Sequence, residues 1–250
     1  INTHHLHDQI ESFVRQLKYK INIQTIFEPV ILDTGGAIAN AKPFLNDGPF
    51  FVINSDIISS VDLNHVYAFH KKSNALATLV LHDFDRFNRV EIDDNGYIQN
   101  FDSKKNALAF TGIQVLSPQI YDYFPDKKAF TSIEIYQDLC RKNRVKAFVE
   151  KNIFWSDIGT KDAYSMTSLQ ILSASRFQIK YDKIKQLQID KLAGDGSDRH
   201  WYRVGYKDQS FILSDHGICM PNSDEHLQLD AFVHIGNHLF SKKIDVPRIL

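Results

Sequence analysis

An α/β fold with a mainly parallel sheet, followed by a smaller α+β unit, is predicted by three features of the sequence. Apolar strand-like runs alternate with segments of helical period as far as Leu172, a pattern that lays helices over a sheet. The stretch 49–57, PFFVINSDI, opens with an uninterrupted apolar run that suits a strand buried on both faces, as parallel strands are. Beyond Leu172 the composition changes, and three short strand-like runs precede one long amphipathic stretch.

Taken in order, Leu6, Ile10, Phe13, Val14 and Leu17 share one helical face and predict a helix over 7–17. Residues 21–27 alternate as a strand does and end at Glu28-Pro29. LDTGGAI over 32–38 leads into a short helix through Ala41, and Phe50–Ile53 then forms a strand. Asp62 is placed to cap a helix over 63–72, and 75–82 is a second apolar strand. Asp94-Asn95-Gly96 between 90–92 and 97–101 signals a hairpin. A strand over 110–116, a short helix over 118–123, a longer helix over 132–142 and a strand over 145–149 follow. Trp155-Ser156-Asp157-Ile158-Gly159-Thr160 reads as a turn into a helix over 161–172. Polar residues 173–185 are expected to link this first domain, 1–172, to a second over 186–250. There, strands over 186–192, 200–206 and 210–214 precede a helix over 225–240 with Leu229, Phe232, Val233, Gly236 and Leu239 on one face.

The whole-chain properties narrow the function. Of 250 residues, 43% are hydrophobic and 24% charged, with a net charge of −1, so no electrostatic nucleic-acid binder is expected. No apolar run approaches membrane-spanning length. Cys140 and Cys219 are far apart in sequence, which argues for thiols in a reducing cytoplasm rather than for a disulfide framework. The opening at Ile1 and the close at Pro247-Arg248-Ile249-Leu250 lead to the expectation of a piece of a longer chain.

Two motifs carry chemistry. In LDTGGAI, Gly35 and Gly36 permit close backbone approach beside a helix start, whose N–H groups suit an anion or a base edge; a plain tight turn is the simpler reading of the same glycines. Asp56 closes the polar end of the 49–57 strand, where open α/β sheets bind ligands. Asp157 sits in the turn after an aromatic segment, and the pair is suited to one Mg²⁺ that neutralises phosphate oxygens. Taken singly, each is an ordinary cap or turn residue. His4, His5 and His7 lack a second ligand cluster, and Trp155 and Trp201 read as core or pocket-wall aromatics.

LDTGGAI, PFFVINSDI, FTGIQVLS and WSDIGT, in that order over 1–172, resemble the nucleoside-diphosphate-sugar pyrophosphorylases, sugar-1-phosphate nucleotidyltransferases with a Rossmann-like fold. The resemblance implies that Thr34, Gly35 and Gly36 lie against the nucleotide, that Thr111 and Gly112 line a sugar pocket with Glu28 beside it, and that Asp56 and Asp157 bind the metal as the catalytic pair. The family's Asn-Gly-Asp stands here as Asn54-Ser55-Asp56, and its Gly-rich GxGTR loop would precede Ile1. The implied substrates are a nucleoside triphosphate, UTP or GTP, and a sugar 1-phosphate.

GDGSDRHWYRV, SFILSDHG, IGNHLF and IDVPRIL resemble the N-terminal lobe of aminoglycoside-phosphotransferase-like kinases, especially the anomeric amino-sugar kinases of cell-wall recycling. On that resemblance Gly194, Gly196 and Ser197 contact ATP phosphates, although Ser214-Asp215 stands where such lobes carry a strand lysine. The joint expectation is a Mg²⁺-dependent nucleotidyltransferase coupled to a sugar kinase. The alternatives are a catalytically silent sugar-nucleotide-binding subunit, or a protein in which only the kinase acts.

Overall fold

Ala77–His82 is the strand around which the first unit is laid down, and all six of its residues are buried. Its alternation sends Leu79 and Leu81 into one hydrophobic cluster and Val80 into another, so both faces of the sheet are covered. A computed structural model describes residues 1–105, 107–193, 199–217 and 224–249. They fall into two compact units, Ile1–Thr167 and Ser168–Leu250.

The first unit begins with β1 (Asn2–Thr3), α1 (His7–Gln16), β2 (Ile26–Phe27), α2 (Asp33–Asn40), β3 (Phe50–Ile53), β4 (Ile57–Ser59) and α3 (Leu63–Lys72). It continues through β5 (Ala77–His82), β6 (Asn88–Ile92), β7 (Ile98–Asn100), β8 (Ala107–Leu116), α4 (Ser132–Cys140), β9 (Val145–Val149) and β10 (Trp155–Asp157) to the first turns of α5 (Lys161–Phe177), within which the first unit ends. The main sheet runs β7-β6-β8-β5-β9, with β3 also paired to β8. Phe130 and Ile135, with Ile38 of α2 and Leu139 of α4, pack on one face with Leu79 and Leu81, whereas Val66 of α3 packs on the other with Val80 and Val115. Fully burying aliphatic side chains of this kind stabilises the fold by roughly 1.5–3 kcal/mol each.

Local chemistry sets the element ends. Asp62 accepts hydrogen bonds from the Asn64 and His65 amides at the start of α3. Thr131 and Glu134 form a reciprocal capping box on α4. In the β6–β7 turn, Asp93 Oδ1 accepts from the Asn95 and Tyr97 amides, and Gly96 takes φ +75°, where a Cβ would be strained.

Four expectations change. The sheet is mixed: within it only β5–β9 is parallel, while β8 runs antiparallel to β3, β5 and β6. The strand buried on both faces is β5 and not β3, whose Ile53 is 46% exposed. Of the strand expected over 21–27, only Ile26–Phe27 finds a partner, pairing parallel with Asn2–Thr3. The linker expected over 173–185 is largely helical, since α5 continues to Phe177 and a 3₁₀ helix covers Tyr181–Gln186. Ser173, Ala174 and Ile184 are buried, which a solvated linker would not allow.

In the second unit, β11 (Gln188–Lys191), β12 (His200–Tyr206) and β13 (Gln209–Asp215) form an antiparallel sheet in chain order, followed by α6 (Asp224–Ser241). Leu169, Tyr202 and Val204 form its small core, with Phe177 and Phe211 against it. Among the described residues no helix is long and apolar enough to cross a membrane.

Candidate active site

WSDIGT was expected to be a turn, but its first three residues form β10, which pairs antiparallel with β4 so that Asp157 lies opposite Ile57. The ladder is extended by the Ile158 amide donating to Asp56 O at 2.8 Å. Two carboxylates a hundred residues apart are thereby brought to adjacent chain positions. Gly159 shows how close they are: a Cβ placed there would lie 3.2 Å from Asp157 Oδ1 and 3.4 Å from Asp56 Oδ2. Asp157 Oδ1 also accepts from the Gly159 amide at 2.9 Å, an interaction that orients the carboxylate.

Beside this pair the sheet opens. Since β5 occupies one edge of β8, both β3 and β6 lie on the other: β3 pairs with Ile113–Leu116, and β6 with Ala107–Ala109. Phe110, Thr111 and Gly112 lie in the gap. They form the floor of a cavity of about 310 Å³ whose lining includes Asn54, Asp56, Trp155 and Asp157 together with Phe87 and Arg89.

The gap is held open by backbone chemistry. The β5–β8 register shifts between Leu79 and Leu81, as a bulge requires. Gly112 takes φ +78°, and a Cβ there would lie 2.9 Å from the Asn54 amide group. Its carbonyl accepts from the Asn54 amide at 2.9 Å, and Thr111 O accepts from the Trp155 indole at 2.8 Å. Thr111 itself is fully buried, and its hydroxyl donates to Val80 O and accepts from the Ile113 amide.

The remaining candidates of the first unit lie around α2. Rather than preceding a helix, Gly35 and Gly36 are inside it, and both amides donate to Phe130 O, at 2.9 and 3.1 Å. A Cβ on Gly35 would fall 2.4 Å from the Phe130 ring, and one on Gly36 2.3 Å from Lys128 O. Close packing therefore demands these glycines. Thr34 Oγ1 donates to Ser132 Oγ and accepts from the Ser132 amide. Glu28 is 4% exposed; its Oε2 accepts from the Leu32 amide at 3.4 Å, and its Oε1 has no hydrogen-bond partner.

Thus Asp56, Asp157, Thr111 and Gly112 line one cavity, while Glu28, Thr34, Gly35 and Gly36 are not among its lining residues. Gly194, Gly196 and Ser197 lie outside the described residues. Arg89 and Phe87 carry no sequence motif; they line the cavity because β6, and the turn just before it, border the gap in the sheet.

The donor set suits a single hard divalent cation. Among the described residues no cluster of three or more His, Cys, Asp or Glu side chains is assembled. Two hard carboxylates beside an open cavity fit Mg²⁺, which binds through one or two carboxylates and takes the rest of its shell from water and substrate phosphates.

Residues 1–174 match the Nucleotidyl transferase family. The mannose-1-phosphate guanylyltransferase catalytic subunit beta of Dictyostelium discoideum is 29% identical over 174 residues, covering 66% of this chain and 48% of that protein. The D-glycero-alpha-D-manno-heptose 1-phosphate guanylyltransferase of Campylobacter jejuni subsp. jejuni is 27% identical over 161 residues, covering 63% of this chain and 72% of that one. The chain spans about half the length of the mannose-1-phosphate guanylyltransferases it matches. Among solved structures, HddC from Yersinia pseudotuberculosis superposes with a TM-score of 0.56 at 22% identity, over 68% of this chain and 76% of that one. The likeness at that identity is one of fold.

Proposed function

This chain belongs to the nucleotidyl transferase family over residues 1–174, and from that premise we propose that it transfers a nucleotidyl group from a nucleoside triphosphate to a sugar 1-phosphate. The observation that carries the reading is the convergence of Asp56 and Asp157 at the wall of the 310 Å³ cavity. An oxygen of the sugar phosphate attacks the α-phosphorus, a new P–O bond forms, and the bond to the bridging oxygen breaks to release pyrophosphate. No covalent enzyme intermediate is needed, so the protein's task is to position both substrates and stabilise developing charge. Asp56 and Asp157 are the residues that would hold Mg²⁺, which when bound neutralises phosphate oxygens. The floor at Thr111 and Gly112, walled by Trp155 and Phe87, receives the sugar and excludes water from it.

GTP is the proposed nucleotide, in keeping with the guanylyltransferase names of the relatives. Thr34, Gly35 and Gly36 are kept on the nucleotide side, where their close-packed helix supplies a rigid surface rather than free amide donors. Glu28 is assigned to the base rather than the sugar, because it lies four residues before Leu32, whose amide it accepts, and its Oε1 lacks a donor. Guanine offers a carboxylate two adjacent N–H groups, whereas uracil offers one.

The test is pyrophosphate release with Mg²⁺ over a panel of nucleoside triphosphates and sugar 1-phosphates. Turnover preferring GTP, reduced about 100-fold or more in Asp157→Asn and shifted away from GTP in Glu28→Gln, is expected. Absence of turnover with every pair, in folded protein, would sink the reading.

For residues 186–250 we propose an ATP-binding, kinase-N-lobe-like unit coupled to the transferase. Its support is the order of elements, an antiparallel β11-β12-β13 sheet followed by α6. Hydrogen exchange with and without ATP should show protection over 192–204; unchanged exchange there would remove the ATP site.

A further inference from the structure

The transferase reading uses the carboxylates of the cavity and leaves its basic residue unexplained. Among the described residues lining the cavity, Asp56 and Asp157 are acidic, and Arg89 is the basic residue. Arg89 stands where the β6–β8 register shifts: Asn88 pairs with Ala109 and Val90 with Leu108, so two steps of β6 oppose one of β8. A bulge of this kind leaves the extra residue unpaired and re-aims its side chain, and such bulges recur beside active sites.

The strand register also bears on which part of a substrate Arg89 meets. The β6 pairing ends at Ala109, and the β3 pairing begins at Ile113. Four strand steps span about 13 Å at most, less the shortening at the bulge. A hexopyranose 1-phosphate whose phosphate sits by Asp56 and Asp157 therefore presents the far side of its ring to Arg89. Phe87, Phe101 and Phe110 line the cavity as well, giving the ring apolar walls.

Among the described residues, Arg89 pairs its charge with Asp102. Its Nη1 lies 3.3 Å from Asp102 Oδ1, and the two side chains are 55% and 87% exposed. Exposed pairs of this kind contribute little, so the guanidinium is available to a substrate anion at small cost. A neutral sugar offers it hydroxyl acceptors alone, whereas an anion offers the stronger charge-assisted, bidentate contact.

We propose that Arg89 selects sugar 1-phosphates that carry a second anionic group, a carboxylate or a phosphate ester, on the side of the ring remote from the anomeric phosphate. The proposal rests on the transferase reading for the placement of the anomeric phosphate. Arg89 is in this role a specificity-determining residue, and Asp102 is the internal carboxylate that the substrate anion displaces.

The test compares glucuronic acid 1-phosphate, glucose 1,6-bisphosphate, glucose 1-phosphate and mannose 1-phosphate on the full chain. Binding is read by calorimetry, and kcat/KM by pyrophosphate release with GTP and Mg²⁺. The wild type should favour one of the two acidic probes over the neutral ones, and which of them it favours distinguishes carboxylate from phosphate ester. In Arg89→Met the acidic-to-neutral ratio should fall about 10- to 100-fold, the range of a hydrogen bond between charged groups. Arg89→Lys should restore part of the ratio, and Asp102→Asn should raise it by freeing the guanidinium.

A ratio unchanged in both Arg89→Met and Asp102→Asn, or equal losses on acidic and neutral sugars, overturns the proposal. If Arg89→Met does not fold, an unchanged ratio in Asp102→Asn and Arg89→Lys overturns it equally. Arg89-dependent binding of the acidic probes without any pyrophosphate release would retire the transferase reading and leave Arg89 as an anion site. Failure of the wild type to prefer either acidic probe removes the Arg89 assignment while turnover of neutral sugars keeps the transferase.

Discussion

His70 lies 2% exposed, with Nδ1 2.8 Å from Thr78 Oγ1 and Nε2 2.9 Å from Ser117 Oγ. Burial pulls its pKa from 6.5 down to about 4. The folded protein thus keeps this ring neutral at a pH where the unfolded chain has already taken up a proton. Stability contributed through His70 is complete above about pH 6.5 and falls as the pH drops from there towards about 4. Urea midpoints measured across that window should decline with falling pH, and His70→Gln, which keeps one donor and one acceptor, should flatten the decline. An equal slope in the variant would assign the pH dependence elsewhere. Residues of this kind are illegible in sequence, because a histidine on a helix gives no sign of which two hydroxyls will enclose it. The glycines were legible as special, but for Gly35 and Gly36 the cause is the approach of Phe130 and Lys128, which the chain supplies almost a hundred residues later.

At the scale of elements, the proposed metal-binding pair depends on a three-residue strand. β10 is joined to β4 by its ladder and to β8 by the Trp155 indole, which donates to Thr111 O at 2.8 Å. Trp155→Phe keeps an aromatic wall but removes that donor. Stability should fall by about 1 kcal/mol in urea unfolding, while kcat/KM for pyrophosphate release falls further than the lost folded fraction accounts for. A loss of activity that merely tracks unfolding would make Trp155 a packing residue only. The helix α3, with its clear period and its cap at Asp62, keeps its expected bounds, whereas the capped α4 ends two residues early, at Cys140. β4 and β10 escaped notice because strands of three residues carry no periodic signal, and their pairing partner lies far away in sequence.

For the whole molecule, alternation of strands and helices was enough to imply layers, and clusters on both faces of the main sheet follow from it. The mainly parallel sheet that the same alternation predicts does not form, because within the main sheet only β5–β9 is parallel. β8 runs antiparallel to β3, β5 and β6, and that arrangement, rather than a parallel array, leaves the gap in which the cavity sits. The division between units falls at Thr167 and Ser168, within α5, where polar composition beyond Leu172 had suggested a linker. Helices with one buried face are half polar, so composition alone does not separate them from a connector.

By itself the sequence determined which carboxylates are the candidates, the cap of α3 and the alternation of strands and helices. All of these depend on residue type and near neighbours, so they are written locally. Only tertiary structure decided that Asp56 and Asp157 meet, that Glu28 stays outside the Thr111–Gly112 cavity, and that Arg89 faces into it. Each of those facts rests on pairing between distant segments, where register across β8 and between β4 and β10 sets the geometry that no stretch of chain encodes alone.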